Sequence, residues 1–274
     1  MGEITVTSGE AARRLGVAPA TVQRWVDNGT LHAERTIGGH RRIYLAEVRR
    51  LIASARSVEP SGPIGHWLEV LLTGDPARVQ ACLLASRLRT KSWAETADEV
   101  ASAIAELGRQ WEAGSCLVFE EHLASEAVRR ATAACAAGMI SPANAPGVVL
   151  FSVEGERHTL GLYLAELVCL EAGWRVFFIG EGLPTSELSH LVVKINPYLL
   201  VISATTVTSP SNLARHQAEL TRAARRHGVH LLLAGGGLWM PARNVERVET
   251  FQELASVITR LRRRKRRRAS QPKL

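Results

Sequence analysis

The feature that most constrains this chain is a change of hydrophobic period near residue 147. From there, short uninterrupted apolar runs alternate with amphipathic ones. The runs are 148–153 then 160–172, 175–179 then 185–194, 199–203 then 210–227, and 231–234 before a last helix near 251–261. A strand without polar alternation is buried on both faces, and that requires a parallel sheet covered by helices. The expectation is a doubly wound, Rossmann-like parallel sheet over residues 144–261. Such sheets take ligands beyond the C-terminal ends of their strands, at a topological switch point.

Upstream the pattern differs. Residues 65–143 are rich in alanine and leucine and poor in strand formers, which predicts helix almost throughout. Glu59-Pro60-Ser61-Gly62-Pro63 opposes regular structure, so 57–64 is expected as a linker. A chain of 274 residues with 46% hydrophobic content can give each such segment its own core. The fold class expected is therefore multidomain, α and α/β.

Residues 1–56 carry a third pattern. Ser8 is a candidate N-cap, Ala11, Ala12 and Leu15 form an apolar stripe, and Gly16 permits a tight turn. Pro19 opens a second helix through Trp25 and Val26, and Asn28-Gly29 closes it. In a helix-turn-helix the second helix enters the major groove by its N-terminal residues, which here are Thr21, Gln23 and Arg24. Gln can read adenine and Arg guanine through paired hydrogen bonds. Val22 and Trp25 are read as core. Gly38 and Gly39 then permit a hairpin whose Arg35, His40, Arg41 and Arg42 would reach phosphate or the minor groove. This stretch, roughly 5–52, resembles the winged helix-turn-helix of the MerR family. The resemblance implies double-stranded operator DNA as a partner.

Charge supports that partner. The net +8 is concentrated in the arginines of the first 45 residues and in an unbroken cationic run at 262–268. Taken alone, the basic end at 262–274 is expected to be a solvated, poorly ordered tail, with phosphate contact as the other reading.

The ligand cue is Glu156-x-His158-x-x-Gly161, in the loop that follows the first strand of the sheet. A neutral imidazole is a common transition-metal ligand, and a carboxylate on its other nitrogen fixes the tautomer. Gly161 leaves room for a bulky group near the backbone. Composition alone predicts about 0.07 chance matches to this pattern, so its position in the sheet carries the remaining weight. With Ser203 and Thr205 after a later strand and Gly235 and Gly236 after another, the motif resembles the cobalamin-binding domain. That resemblance implies His158 as the lower cobalt ligand and the Ser/Thr and Gly positions as the slot for the nucleotide tail. The usual first residue is Asp; Glu156 keeps the charge and adds a methylene.

A second motif, Trp111 followed after nine residues by Glu121-His122, is similar to that of CarH/LitR-type cobalamin-dependent photoreceptor regulators. In those a helical bundle caps the upper face of adenosylcobalamin, which implies a four-helix-bundle-like arrangement for 65–143. The resemblance implies a repressor, not an enzyme, assembled by the cofactor into dimers and tetramers on DNA in the dark and released by light. One position departs from it. Light-sensing members place a His directly after the Trp, where this chain has Glu112, a poorer partner for a soft cobalt site. His122 or water is left for that position. A light-independent or partner-switched cobalamin regulator is the alternative. A corrinoid methyl carrier or mutase-like protein is a further one, opposed by the DNA-binding cues and by the lack of a catalytic acid–base pair.

Cys82, Cys116, Cys135 and Cys169 lack C-x-x-C spacing and read as small buried hydrophobes of a reducing cytoplasm. No apolar run approaches a membrane span, and the first residues lack a signal-peptide layout.

Overall fold

The computed structural model describes residues 4–15, 17–27, 29–36, 38–56, 62–243 and 245–269. It divides into two compact units, 1–139 and 140–274. Gly16, Asn28, the linker core 57–61 and the last residues, 270–274, lie outside the described set.

The first unit opens with β1 (Thr5–Thr7), α1 (Ser8–Leu15) and α2 (Pro19–Asp27), followed by β2 (Ala33–Arg35), β3 (Arg41–Tyr44) and α3 (Leu45–Arg56). The strands pair antiparallel in the order β1-β3-β2. Gly39, at φ +77°, turns the β2–β3 hairpin, with Gly39 N donating to Thr36 O. Strand β1 was not expected, although Thr5-Val6-Thr7 is β-branched throughout. Its presence moves the cap of α1. Thr7 Oγ1, not Ser8, accepts the Glu10 N–H, because β1 delivers Thr7 to the helix mouth. Ala11, Ala12, Leu15, Val22, Trp25, Leu31, Ile43 and Val48 close a small core.

Four helices complete this unit: α4 (Gly62–Leu71), α5 (Pro76–Thr90), α6 (Trp93–Glu112) and α7 (Val118–Ala137). Helix α4 begins inside the expected 57–64 linker, since Pro63 sits in its first turn, where a proline costs nothing. Asp75 and Ser92 cap α5 and α6 through their side-chain oxygens, and Glu120 reaches back to the Leu117 N–H at α7. Trp67, Leu71, Leu83, Leu84, Val100 and Val128 fill the centre. A polar knot also lies inside. Ser86 Oγ donates to Glu99 at 2.7 Å, and Arg89 pairs with the same carboxylate at 2.5 Å. Burial opposes ionisation of Glu99, but the hydrogen bonds from Arg89 and Ser86 and the Arg89 charge overcome it and lower its pKa.

The second unit is the doubly wound sheet: β4 (Gly147–Ser152), α8 (Leu160–Glu171), β5 (Arg175–Gly180), α9 (Leu188–Ile195), β6 (Leu199–Ser203), α10 (Pro210–His227), β7 (His230–Ala234), β8 (Glu246–Val248) and α11 (Phe251–Ala269). All neighbours pair parallel in the order β5-β4-β6-β7-β8. Every residue of β4 and β6 is buried, as their unbroken apolar runs require. Val149, Phe151, Leu200, Ile202 and Leu233 pack with Leu188 and Val192 of α9 and Leu213 and Leu220 of α10. Val148, Leu150, Val201 and Leu232 alternate to the opposite face. Strand β8 escaped the sequence reading because a three-residue edge strand with Glu246 and Arg247 has no apolar run to show.

The basic end is not an irregular tail as far as it is described, since α11 continues through Ala269. Arginine and lysine are good helix formers, and cations at a helix C-terminus complement its dipole. The four cysteines are buried free thiols. Burial pushes Cys82 and Cys135 up to about 12 and raises Cys169 as well. No described helix is long and apolar enough to cross a membrane.

Candidate functional site

The strand order reverses direction between β4 and β6, so the loops leaving these two strands diverge and open a crevice. Glu156 lies in the first loop and Thr205 and Thr208 in the second. Glu156 is 2% exposed and joins the two. Its Oε1 accepts the His158 main-chain N–H at 2.8 Å and lies 2.6 Å from His158 Nδ1. Its Oε2 accepts from Thr205 N at 2.9 Å, Thr205 Oγ1 at 2.6 Å and Thr208 Oγ1 at 3.0 Å. Burial works against the charge, but these hydrogen bonds outweigh it and hold the pKa down at about 2.

An ionised carboxylate only accepts, so His158 Nδ1 carries a proton, and in the neutral ring Nε2 keeps its lone pair. The His158 side chain is 61% exposed. The arrangement therefore presents one oriented, solvent-facing imidazole lone pair at the mouth of the crevice. Ser152 stiffens the base of the loop, donating to Glu156 O at 2.7 Å and accepting from Gly182 N at 2.9 Å.

Around this mouth the backbone comes close. Gly235 has φ +83°, and a Cβ there would sit 2.4 Å from Ala204 O, so no other residue fits. Gly236 would meet only Thr206, at 3.9 Å, and Ser203 lies beneath with its side chain mostly buried. A Cβ on Gly161 would meet nothing within 4 Å, which leaves open space at the start of α8. Val207, Leu238 and Met240 are exposed apolar side chains on the same loops.

The structure thus brings Glu156, His158 and Thr205 into direct contact. Thr205, expected to line a slot, spends its hydroxyl proton on Glu156. Ser152, Thr208 and the three exposed apolar residues were not anticipated. The one signal for them was hydroxyl and apolar residues clustered at strand ends.

In the first unit Trp111, near the end of α6, is 47% exposed, and Leu117, Val118, Phe119 and Leu123, at the start of α7, are exposed apolar side chains as well. Glu121 Oε2 lies 2.7 Å from His122 Nδ1, and Ser125 donates to Glu121 Oε1. Glu112 is exposed.

The DNA-facing candidates fall into two groups. Gln23, His40 and Arg42 are exposed and Thr21 half-buried. Arg24, Arg35 and Arg41 have partners within the protein. Arg24 Nη1 donates to the Gly138 carbonyl at the end of α7, so in this conformation it faces the bundle rather than a groove. Arg41 forks onto both Asp27 oxygens at 2.8 and 2.7 Å, and Arg35 reaches Asp27 at 3.0 Å, tying the wing to the end of α2. Among the described residues no group of three or more His, Cys, Asp or Glu side chains could hold a metal ion. A metal held by His158 would therefore need other donors of its own, as a macrocycle-bound metal has.

Comparison with known proteins fits this layout. Residues 5–56 match the helix-turn-helix domain model, and residues 66–136, the helical segment, match the B12 binding domain model. One chain thus joins a match to the helix-turn-helix domain model to a match to the B12 binding domain model. The chain is similar to the HTH-type transcriptional repressor CarA of Myxococcus xanthus, 27% identical over 238 residues, covering 77% of this chain and 81% of that protein. It is also similar to the HTH-type transcriptional repressor CarH of the same organism, 32% identical over 115 residues, 42% of this chain but only 38% of that protein's length. The monomethylamine corrinoid protein of Methanosarcina barkeri shares the fold, with TM-score 0.57 and 16% identity over 72% of this chain and 96% of that one.

Proposed function

We propose that this protein is a cobalamin-dependent, light-responsive transcriptional repressor. It would bind operator DNA as an adenosylcobalamin-assembled oligomer in the dark and release it on illumination. The observation that carries the reading is the Glu156–His158 pair, an imidazole of fixed tautomer with its Nε2 free, at the switch point of a sheet. The donor set suits a corrinoid: one nitrogen ligand, the unfilled space at Gly161, and an apolar rim of Val207, Leu238 and Met240. When bound, the cofactor supplies a cobalt–carbon bond that light can break.

The residues have separate tasks in this reading. His158 Nε2 would hold the metal. Glu156 would fix its tautomer and orientation. Ser203, Gly235 and Gly236 border the slot for the nucleotide tail, with Thr205 locking Glu156 beside it. Trp111, Glu121 and His122 form the apolar and hydrogen-bonding surface for the upper ligand. Thr21, Gln23, His40 and Arg42 face DNA, and Arg24 joins them after leaving Gly138. Domains are assigned as 1–56 for DNA, 65–143 for the helical cap and 144–261 for the corrinoid. Joining weak DNA-binding modules raises affinity through effective concentration, so assembly can control repression without changing a base contact.

The test is size-exclusion chromatography of adenosylcobalamin-loaded protein in darkness and after green light. The expected result is a cobalamin-bearing oligomer that dissociates on illumination and does not form in His158→Ala. Unchanged assembly of His158→Ala would overturn the scheme. An oligomer of equal size and operator affinity in light and dark would favour a light-independent regulator, the reading to which Glu112 points.

A further inference from the structure

Among the described side chains of the cationic run at the C-terminus, the fold separates an inner set from an outer one. Arg262 turns inward. Its Nη1 donates to Ala172 O at the end of α8, at 2.7 Å, and its guanidinium fills the space a Cβ on Gly173 would take. Lys265 also turns inward, with Nζ 4.8 Å from the Tyr198 ring centre. Leu254, Ile258 and Leu261 bury the same side of the helix. Arg263, Arg264 and Arg267 are then directed outward. Together with Arg260 they fall within roughly 100° of arc at 3.6 residues per turn. They line a shallow groove with Ser256 and Thr259. Arg260 pairs with Glu246, whereas Arg263, Arg264 and Arg267 have no carboxylate partner among the described residues.

We propose that this face of α11 is a second, sequence-independent contact for the phosphate backbone of duplex DNA, separate from the helix-turn-helix domain. Three arguments favour that occupant. The outward set is purely cationic and wholly arginine, whose planar fork binds phosphate oxygens in pairs. The inward anchors and the buried Leu254, Ile258 and Leu261 hold the helix in place, so the backbone carrying the outward arginines is ordered before binding. Arg263 to Arg267 spans about 6 Å at 1.5 Å per residue, and one DNA strand offers a phosphate every ~3.4 Å of axis. The three guanidinium groups can therefore each take a separate phosphate. The inference rests on the reading of this chain as DNA-binding.

The test uses the full-length protein and a mixed-sequence duplex, with affinity followed by fluorescence anisotropy as salt is raised. Each lost phosphate contact lowers the log–log salt slope by about 0.9. R263Q/R264Q/R267Q should lower it by roughly 2 to 3, and R263K/R264K/R267K should retain it. An unchanged slope in the glutamine variant would overturn the proposal, as would equal losses in both variants, the mark of damaged folding. A loss of binding confined to phosphatidylserine vesicles would overturn it in favour of a membrane surface. R42Q separates the two readings, because its slope falls whenever the helix-turn-helix wing binds DNA, whatever α11 does. Failure of the unaltered chain to bind duplex would overturn both.

Discussion

Replacing Glu156 by Gln removes one charge and reverses one acceptor, and the structure sets the consequence. Each carboxylate oxygen faces one main-chain donor that cannot turn away, His158 N on Oε1 and Thr205 N on Oε2. The threonine hydroxyls can rotate, but these two N–H groups cannot. Whichever way the amide lies, one buried N–H meets another, at about 1–3 kcal/mol. The remaining contacts lose their charge assistance, so the second unit should lose roughly 2–4 kcal/mol in urea denaturation of the cofactor-free protein. Cobalamin affinity, from absorbance titration with aquocobalamin, should fall roughly 10–100-fold as His158 loses its orienting partner. Glu156→Asp keeps the charge but is one methylene shorter, too short to hold both loops. It should cost about 1–2 kcal/mol and weaken cobalamin less than Gln does. Glu156→Gln with unchanged stability and affinity would refute the reasoning, and so would Asp proving worse than Gln.

Gly161→Leu should leave cofactor-free stability unchanged or slightly raised, because its Cβ meets nothing and Leu is a better helix former by about 0.8 kcal/mol. Cobalamin binding, titrated in the same way, should be lost; retention would show that the open space is not ligand space. Glu99 titrates lower in the folded protein than when unfolded, so its contribution is complete above the ordinary carboxylate pKa and fades as pH falls through the lowered folded value. Glu99→Gln should therefore flatten the acid limb of the first unit's stability in urea denaturation measured across that range; an unaltered limb would contradict the assignment. Arg24→Ala removes a charged donor from the Gly138 carbonyl and should lower the first unit's stability by about 1–2 kcal/mol in urea.

Much of the layout was legible in the chain because burial leaves a periodic mark. The unbroken runs of β4 and β6 identified a parallel sheet, and Pro210–His227 and Leu199–Ser203 fall where the pattern placed them. Elements without such a mark were missed. β1 and β8 are three-residue strands at sheet edges, too short to leave a period of their own. Glu156, His158 and Gly161 could be picked out because the motif is local. Thr208 and Ser152 could not, since a hydroxyl five residues past one strand and another at the end of a second have no visible connection until the strands are ordered.

The sequence by itself determined which residues prefer helix, which strands lie buried on both faces, and that an acid and an imidazole stand two residues apart. Only the tertiary structure decided that Glu156 spans to Thr205 and Thr208, that Arg24 and Arg41 are engaged within the protein, and that the described side chains of the run at 262–268 divide into inward anchors and an outward face. Periodicity records how much water each residue of an element sees, and it is written locally. Partners across a fold are set by strand order and helix docking, which no local pattern contains.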